Sequence, residues 1–207
     1  PWDEGGSTGG PDAPYFQSQR TALYESALAR LQETGRVYPC FCTRAQLHAA
    51  SAPHREDGLT VYPGTCRDLP PETVAARMAA GRRPALRLRV PEKTVSLRDG
   101  HLGPVSEYLP TDCGDFLLRR SDGLFAYQLA VVVDDAAMGV TEVVRGADLL
   151  SSTPRQLLLY ELLGLPAPRF RHFPLLLSPD GRRLSKRDGD LGLAALQTRC
   201  TPEEVVG

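Results

Sequence analysis

Asp115 to Gly164 reads DFLLRRSDGLFAYQLAVVVDDAAMGVTEVVRGADLLSSTPRQLLLYELLG. Phe116 to Arg120 is a short apolar-basic run with strand character, and Ser121 to Gly123 has turn chemistry. Thr141 to Val144 is a β-branched run that delivers Arg145 and Gly146 at a strand's carboxyl end, the edge where open α/β sheets bind ligands. Between the two strands, Tyr127 to Met138 has to cross over. Val131 to Val133 favours a strand locally, but Gly139 and a parallel-sheet connection favour a helix. The next helix is plainer. Ser152 or Thr153 caps it, Pro154 suits its first turn, Leu157, Leu158, Leu162 and Leu163 make an apolar face, and Gly164 ends it. Strands alternating with helices predict an α/β fold.

Upstream, Pro1 to Pro14 is a Gly- and Pro-rich loop, and Ser18 is placed to cap a helix over Gln19 to Thr34 whose Leu23, Ala27, Leu28 and Leu31 share one face. From Val37 to Leu69 cysteines, prolines and glycines accumulate and periodicity fades, as expected of a small inserted module. Inside it, Thr43 caps a short helix running to Ala50, and Ser51 to Thr60 is polar and expected to be mobile. Pro70 and Pro71 open a helix through Ala80 that Gly81 stops. Ala85 to Val90 alternates Leu86 and Leu88 with Arg87 and Arg89, the pattern of a half-exposed strand, and Thr94 to Leu97 is expected to pair with it across Pro91 and Glu92. Downstream, Phe173 to Leu177 reads as a buried strand, Ser178 to Gly181 as a turn, Arg182 to Gly189 as a polar loop, and Leu191 to Gln197 and Thr201 onward as helix starts. The chain reads as cut at both ends.

At 207 residues and 42% hydrophobic content, one sizeable core, or one core with a small insertion, can be buried. A formal charge of -1 argues against a whole-chain polyanion binder, while the Arg182, Arg183, Lys186, Arg187 cluster can still meet phosphate. No run is long enough to span a bilayer, so no membrane partner is expected and the chain reads as soluble and cytoplasmic. The five cysteines are an odd number, which fits a reducing compartment better than a disulfide framework.

Three of those cysteines cluster. Cys40-x-Cys42 and Tyr62-x-x-x-Cys66 place three thiols and a phenol in one small module, the donor types and spacing of a tetrahedral zinc site, although buried unligated cysteines have the same appearance. His48 and His54 compete with Tyr62 for the fourth place. A metal would be structural, because the module has too little apolar content to hold its loops. Cys113 and Cys200 stand alone. The adjacent carboxylates Asp134 and Asp135, near a helix end, need solvent or partners and read as shaping a pocket rather than as catalytic groups.

DGLFAYQLAVVVDD, VVRGADLLSSTPRQLLLYELLG and LSKRDG together resemble the catalytic core of class I glutamyl-tRNA synthetases, with similarity from PWDEGG to the last residues. The resemblance implies a Rossmann catalytic core with an inserted zinc-binding module. The expected segments are 1–36 for the first part of the core, 37–106 for the zinc-binding and connective insertion, 107–190 for the rest of the core, and 191–207 for the start of a helical region. Family members begin with a strand and a HIGH-type ATP-gripping motif, and no such segment precedes Pro1 in this sequence. WDEG and the Tyr15, Gln17, Ser18, Gln19, Arg20 motif also match the family.

The resemblance is greatest to a short queuosine-directed branch whose Cys-x-Cys, Tyr, Cys pattern corresponds to Cys40, Cys42, Tyr62 and Cys66 and implies structural Zn2+. Val131, where conventional members carry asparagine, and Leu149, where they carry tryptophan, point the same way. Tyr127 and Arg145 correspond to residues that hold glutamate; read without the resemblance, they would be a core-edge residue and a structural ion-pair partner. Arg183, Ser185 and Lys186 occupy the place of the mobile loop that binds ATP, with Lys186 as the catalytic charge stabiliser. Arg183 and Arg187 depart from the usual lysine and serine there. The implied reaction is a ligase reaction. ATP with Mg2+ activates glutamate, which passes to queuosine in the anticodon of tRNA(Asp); a monomer is expected. The alternatives are a fragment of a conventional glutamyl-tRNA synthetase and a non-catalytic, zinc-stabilised RNA-binding remnant.

Overall fold

The structure, a computed structural model, describes residues 4–6, 8–49, 61–175, 177, 181, 200–201 and 203–204, with the backbone alone at 44, 48 and 49. The chain forms two compact units, Pro1–His172 and Phe173–Gly207. In the second, Thr201 and Glu204 exchange amide bonds of 2.8 and 3.3 Å in a capping box. The first unit holds the elements described next, apart from Phe173 at the end of the last strand.

Helix α1 (Thr21–Glu33) begins later than the sequence predicts. Gln17–Gln19 form a single 3-10 turn, and Ser18 does not cap the helix. Arg20 takes the capping position because its guanidinium is held by Asp134, so a tertiary bond sets the entry of the helix. That choice rotates the buried face to Tyr24, Ala27, Leu28 and Leu31 and leaves Leu23 43% exposed.

Strand β1 (Val37–Cys40) leads to α2 (Arg44–Ala49), whose start is the expected cap: Thr43 and Gln46 exchange bonds of 2.9 and 3.3 Å. Helix α3 (Pro71–Ala79) ends ahead of Gly81, where φ is +79°, as predicted. Strand β2 (Ala85–Leu88) pairs in regular antiparallel register with β1, while along its other edge a register shift between Leu86 and Arg87 breaks the simple alternation, and Arg87 is buried beside Leu88. Strand β3 (Thr94–Asp99) does not join β2. It pairs with β4 (Gly103–Tyr108), because Asp99 Oδ1 accepts the His101 and Leu102 amides at 2.9 Å and closes a tight hairpin.

Strand β5 (Phe116–Arg119) completes an antiparallel sheet of order β1-β2-β5. Its other edge is occupied by its own return: Phe125 bridges Arg119, and the Ala126 amide donates to the Leu118 carbonyl. The predicted crossover helix exists as α4 (Tyr127–Ala137). It does not join parallel strands of one sheet, because β6 (Glu142–Gly146) pairs instead with β7 (Arg169–Phe173). The predicted strand at Phe173 to Leu177 thus lies earlier in the chain. Helix α5 (Thr153–Leu163) ends at Gly164, whose φ of +60° is the left-handed conformation glycine tolerates. Neither Ser152 nor Thr153 caps it through a side chain. It is buried almost all round, because it packs on α1, α4 and β3.

One core collects Leu28 and Leu31 of α1, Leu129 and Val132 of α4, Leu158, Leu159 and Leu163 of α5, and Leu88 and Leu118 of the sheet. A separate small cluster gathers Tyr38, Cys40, Phe41, Tyr62 and Cys66. Its size is what the composition of the inserted module allows.

Candidate functional site

The small cluster is built at the end of β1. Cys40 closes the strand and Cys42 follows it, so the two thiols lie near each other beside the segment bearing Tyr62 and Cys66. The three thiol sulfurs lie within 4.8 Å of one another. The Tyr62 hydroxyl stands 3.4 Å from Cys40 Sγ and 3.6 Å from Cys42 Sγ, and Cys42 Sγ is 3.6 Å from Cys66 Sγ. The Cys66 amide donates to the same hydroxyl at 2.8 Å. Burial, with help from the neighbouring thiols, pushes Cys42 up to about 11 and raises the Tyr62 phenol. A divalent cation is the species that would convert this donor set to anions, and three sulfurs and one oxygen at one point fit a small tetrahedral metal. The His48 side chain and His54 lie outside the described residues.

Three residues that sequence reasoning did not single out hold this cluster in place. Asp115, fully buried, accepts from the Tyr38 hydroxyl at 2.6 Å, Arg67 Nε at 2.7 Å and the Val90 amide at 2.9 Å, tying β1, the Cys66 turn and β2 to the start of β5. Gly114, at φ +61°, lets the Tyr62 segment approach; a Cβ there would lie 2.6 Å from Val61 Cγ1. Arg87, read as an outward strand residue, instead stacks over the Tyr62 ring at 3.8 Å and donates to the Asp115 carbonyl at 2.9 Å. The one available signal was the unusual Asp-Cys-Gly-Asp run before β5.

A cavity of about 350 Å³ opens beside the cluster, lined among others by Tyr62, Arg87, Asp115, Tyr127, Gln128 and Arg155. Tyr127 is the first residue of α4 and is 48% exposed. Arg145 lies near the end of β6 and is half-buried; burial lowers its pKa, while the Tyr127 hydroxyl and the Asp135 carboxylate support its charge. The two predicted residues therefore come together. Arg145 donates from Nε to His172 Nε2 at 2.9 Å, and from Nη2 to Thr153 Oγ1 and Gln156 Oε1, both at 2.8 Å. A half-buried guanidinium held by neutral acceptors keeps its charge available and can receive a carboxylate.

The adjacent carboxylates have different fates. Asp134 is buried and accepts from Arg20 Nε at 2.6 Å, Gln17 Nε2 at 3.1 Å and the Tyr24 hydroxyl at 2.8 and 2.9 Å. The Gln17 to Arg20 motif thus serves as the partner of Asp134. Asp135 is raised by burial, against the lowering effect of the Tyr160 hydroxyl at 3.5 Å and of Arg145. Cys113 is buried and donates to Glu107 Oε2 at 3.3 Å. Arg183, Ser185 and Lys186 lie outside the described residues, as do Ser51 to Thr60 and the predicted turn, loop and helix between Ser178 and Gln197, apart from Gly181. Among the described residues, no helix is long and apolar enough to cross a membrane.

Residues 2–199 match the family described as tRNA synthetases class I (E and Q), catalytic domain. The chain is 57% identical over 212 residues to a Glutamyl-Q tRNA(Asp) synthetase of Symbiobacterium thermophilum, covering 100% of this chain and 64% of that relative. A Glutamate--tRNA ligase 2 of Alkalilimnicola ehrlichii is 46% identical over 199 residues, which are 95% of this chain and 41% of the relative. The crystal structure of glutamate-tRNA synthetase from Elizabethkingia anophelis superposes with a TM-score of 0.76 at 34% identity, over 91% of this chain and 40% of that one. The chain thus spans less than two thirds of the length of these relatives.

Proposed function

Since the chain belongs to the class I tRNA synthetases of the E and Q kind through their catalytic domain, we propose that the protein activates glutamate with ATP and transfers it to queuosine in the anticodon of tRNA(Asp). The observation that carries the choice of acceptor is the Tyr62 hydroxyl as the fourth group beside Cys40, Cys42 and Cys66, the set that the resemblance assigns to the queuosine-directed branch. Greater identity to a relative named Glutamyl-Q tRNA(Asp) synthetase than to a glutamate ligase supports it.

In this reading Zn2+ is structural, held by Cys40, Cys42, Tyr62 and Cys66, and no chemical step passes through it. Arg145 binds a glutamate carboxylate with its fork, and the Tyr127 hydroxyl adds a hydrogen bond. An oxygen of the α-carboxylate bonds the α-phosphorus of ATP and pyrophosphate leaves. A hydroxyl of the queuosine cyclopentenediol then attacks the glutamyl carbonyl, AMP leaves, and an ester remains. Mg2+ supplies charge neutralisation on the ATP phosphates when bound. Lys186, with Arg183 and Ser185, stabilises charge developing there, so the protein's contribution is positioning and electrostatics. Residues 1–36 and 107–190 belong to the catalytic core, 37–106 form its metal-bearing insertion, and 191–207 begin a helical region. The protein acts as a monomer in the cytoplasm.

The test is ATP-dependent transfer of labelled glutamate by zinc-assayed protein to tRNA(Asp) with and without queuosine, and to tRNA(Glu). Transfer confined to the queuosine form is expected. Charging of tRNA(Glu) would overturn the acceptor assignment in favour of a conventional synthetase. RNA binding with no glutamate activation would leave only a zinc-stabilised RNA-binding module.

A further inference from the structure

Behind Arg145 lies a pair of buried residues to which nothing above gives a role in binding. His172 is 0% and Asp99 2% exposed, and His172 Nδ1 lies 2.7 Å from Asp99 Oδ2. Asp99 Oδ1 already accepts three backbone amides, from His101 and Leu102 at 2.9 Å and His172 at 3.2 Å. A carboxylate so saturated with donors is an acceptor only, so Nδ1 carries the imidazole proton. His172 Nε2 then presents a lone pair to Arg145 Nε, 2.9 Å away, which can only donate. The opposite tautomer would set two N–H groups against each other in a buried place, with one carboxylate oxygen left unmatched.

The same logic orients the other side of the guanidinium. Gln156 Oε1 accepts from Arg145 Nη2, so Gln156 Nε2 donates to Gln128 Oε1 at 3.0 Å, and Gln128 Nε2 in turn donates to Ser152 Oγ at 2.9 Å. The Phe170 ring covers one face of the guanidinium, 5.2 Å from Cζ. These bonds use Nε and Nη2, and the Tyr127 hydroxyl also hydrogen-bonds the guanidinium.

We propose that Asp99 and His172 are positioning residues for substrate binding: they lock the His172 tautomer, which holds Arg145 through its Nε in the one orientation in which it and Tyr127 meet a substrate carboxylate together. The β3–β4 hairpin, which supplies Asp99, thereby sets amino-acid affinity without touching the amino acid. This inference rests on the reading of Arg145 as the glutamate-binding residue.

Histidine-labelled protein should show His172 as the Nδ1–H tautomer by nitrogen-15 NMR; a proton on Nε2 in the unmodified protein would overturn the proposal without any substitution. In D99N the amide NH₂ faces Nδ1 and drives the proton to Nε2. Glutamate Kd should rise about tenfold or more, the scale on which supporting residues act on a bound group, while the Kd for a non-hydrolysable ATP analogue stays unchanged. H172Q, whose side-chain oxygen can accept from Arg145, should retain more glutamate affinity than H172N. R145A separates the two readings. If R145A binds glutamate normally, the glutamate assignment itself falls. If R145A loses binding while folded D99N and H172N keep it, Arg145 binds glutamate and the positioning role is wrong.

Discussion

Asp134 makes the consequence of breaking a buried ion pair measurable. Its carboxylate meets Arg20, Gln17 and Tyr24, and Arg20 is itself 4% exposed, so removing the carboxylate strands a guanidinium in the interior. Asp134→Ala should lower unfolding free energy by about 3–5 kcal/mol, the range for breaking a buried pair, and Asp134→Asn by less; urea denaturation at neutral pH checks both. Asp99 predicts a pH dependence. Burial alone would raise its carboxyl, but the Leu102 amide, the His172 ring and the His101 and His172 amides outweigh that and hold it well below the usual range. A lowered folded pKa gives stability that is fully present above the ordinary carboxylate value of about 3.9 and is lost as pH falls below it. The stability gap between the unmodified protein and Asp99→Asn should therefore be largest above about pH 5 and shrink progressively toward about pH 2. The need of Asp134 for a partner was legible from two adjacent carboxylates. Its partners were not, because Gln17 and Arg20 lie more than a hundred positions away in the chain.

Among the elements, the turn between β4 and β5 packs closely against the segment that carries Tyr62. Gly114→Ala would place a methyl 2.6 Å from Val61 Cγ1 at a φ of +61°. With ψ at 175° this is a backbone region essentially confined to glycine, and it alone costs an alanine on the order of 1–3 kcal/mol. Because the clash displaces the Tyr62 segment, retention of the zinc proposed above should fall more than global stability does, and competition with a chromophoric chelator beside a thermal melt separates the two. Elements with strong local signals, such as α5 with its glycine stop and α2 with its cap, were readable from sequence. Strand partners were not. Thr94 to Leu97 has the pattern of a strand but no information on whether β2 or β4 is its neighbour, and Asp99's grip on the turn amides chose β4. The outward reading of Arg87 failed for a related reason: one register shift turned a basic strand residue inward onto Tyr62.

On the scale of the molecule, a small cluster of five buried residues beside a much larger apolar core predicts unequal stability. With zinc bound as proposed, a strong chelator should loosen the inserted module first. Amide exchange should accelerate at Cys40–Cys42 and Tyr62–Cys66 while Leu28, Leu129 and Leu158 remain protected, and Cys66→Ser should reproduce this pattern without chelator. Simultaneous loss of protection in both regions would show that the module and the core unfold as one unit.

The sequence by itself determined the α/β class, the family, the grouping of three cysteines with Tyr62, and Tyr127 and Arg145 as candidate binding residues. Those features depend on local chemistry: capping residues, turn glycines, β-branched runs and motifs confined to short stretches. Tertiary structure alone decided that Arg20 would start α1 by binding Asp134, that β5 would close an antiparallel sheet, and that Asp99 would reach Arg145 through His172. Each of these joins residues far apart in the chain. Their energy comes from pairing polar groups that burial has taken out of water, and that requirement exists only once the core has closed around them.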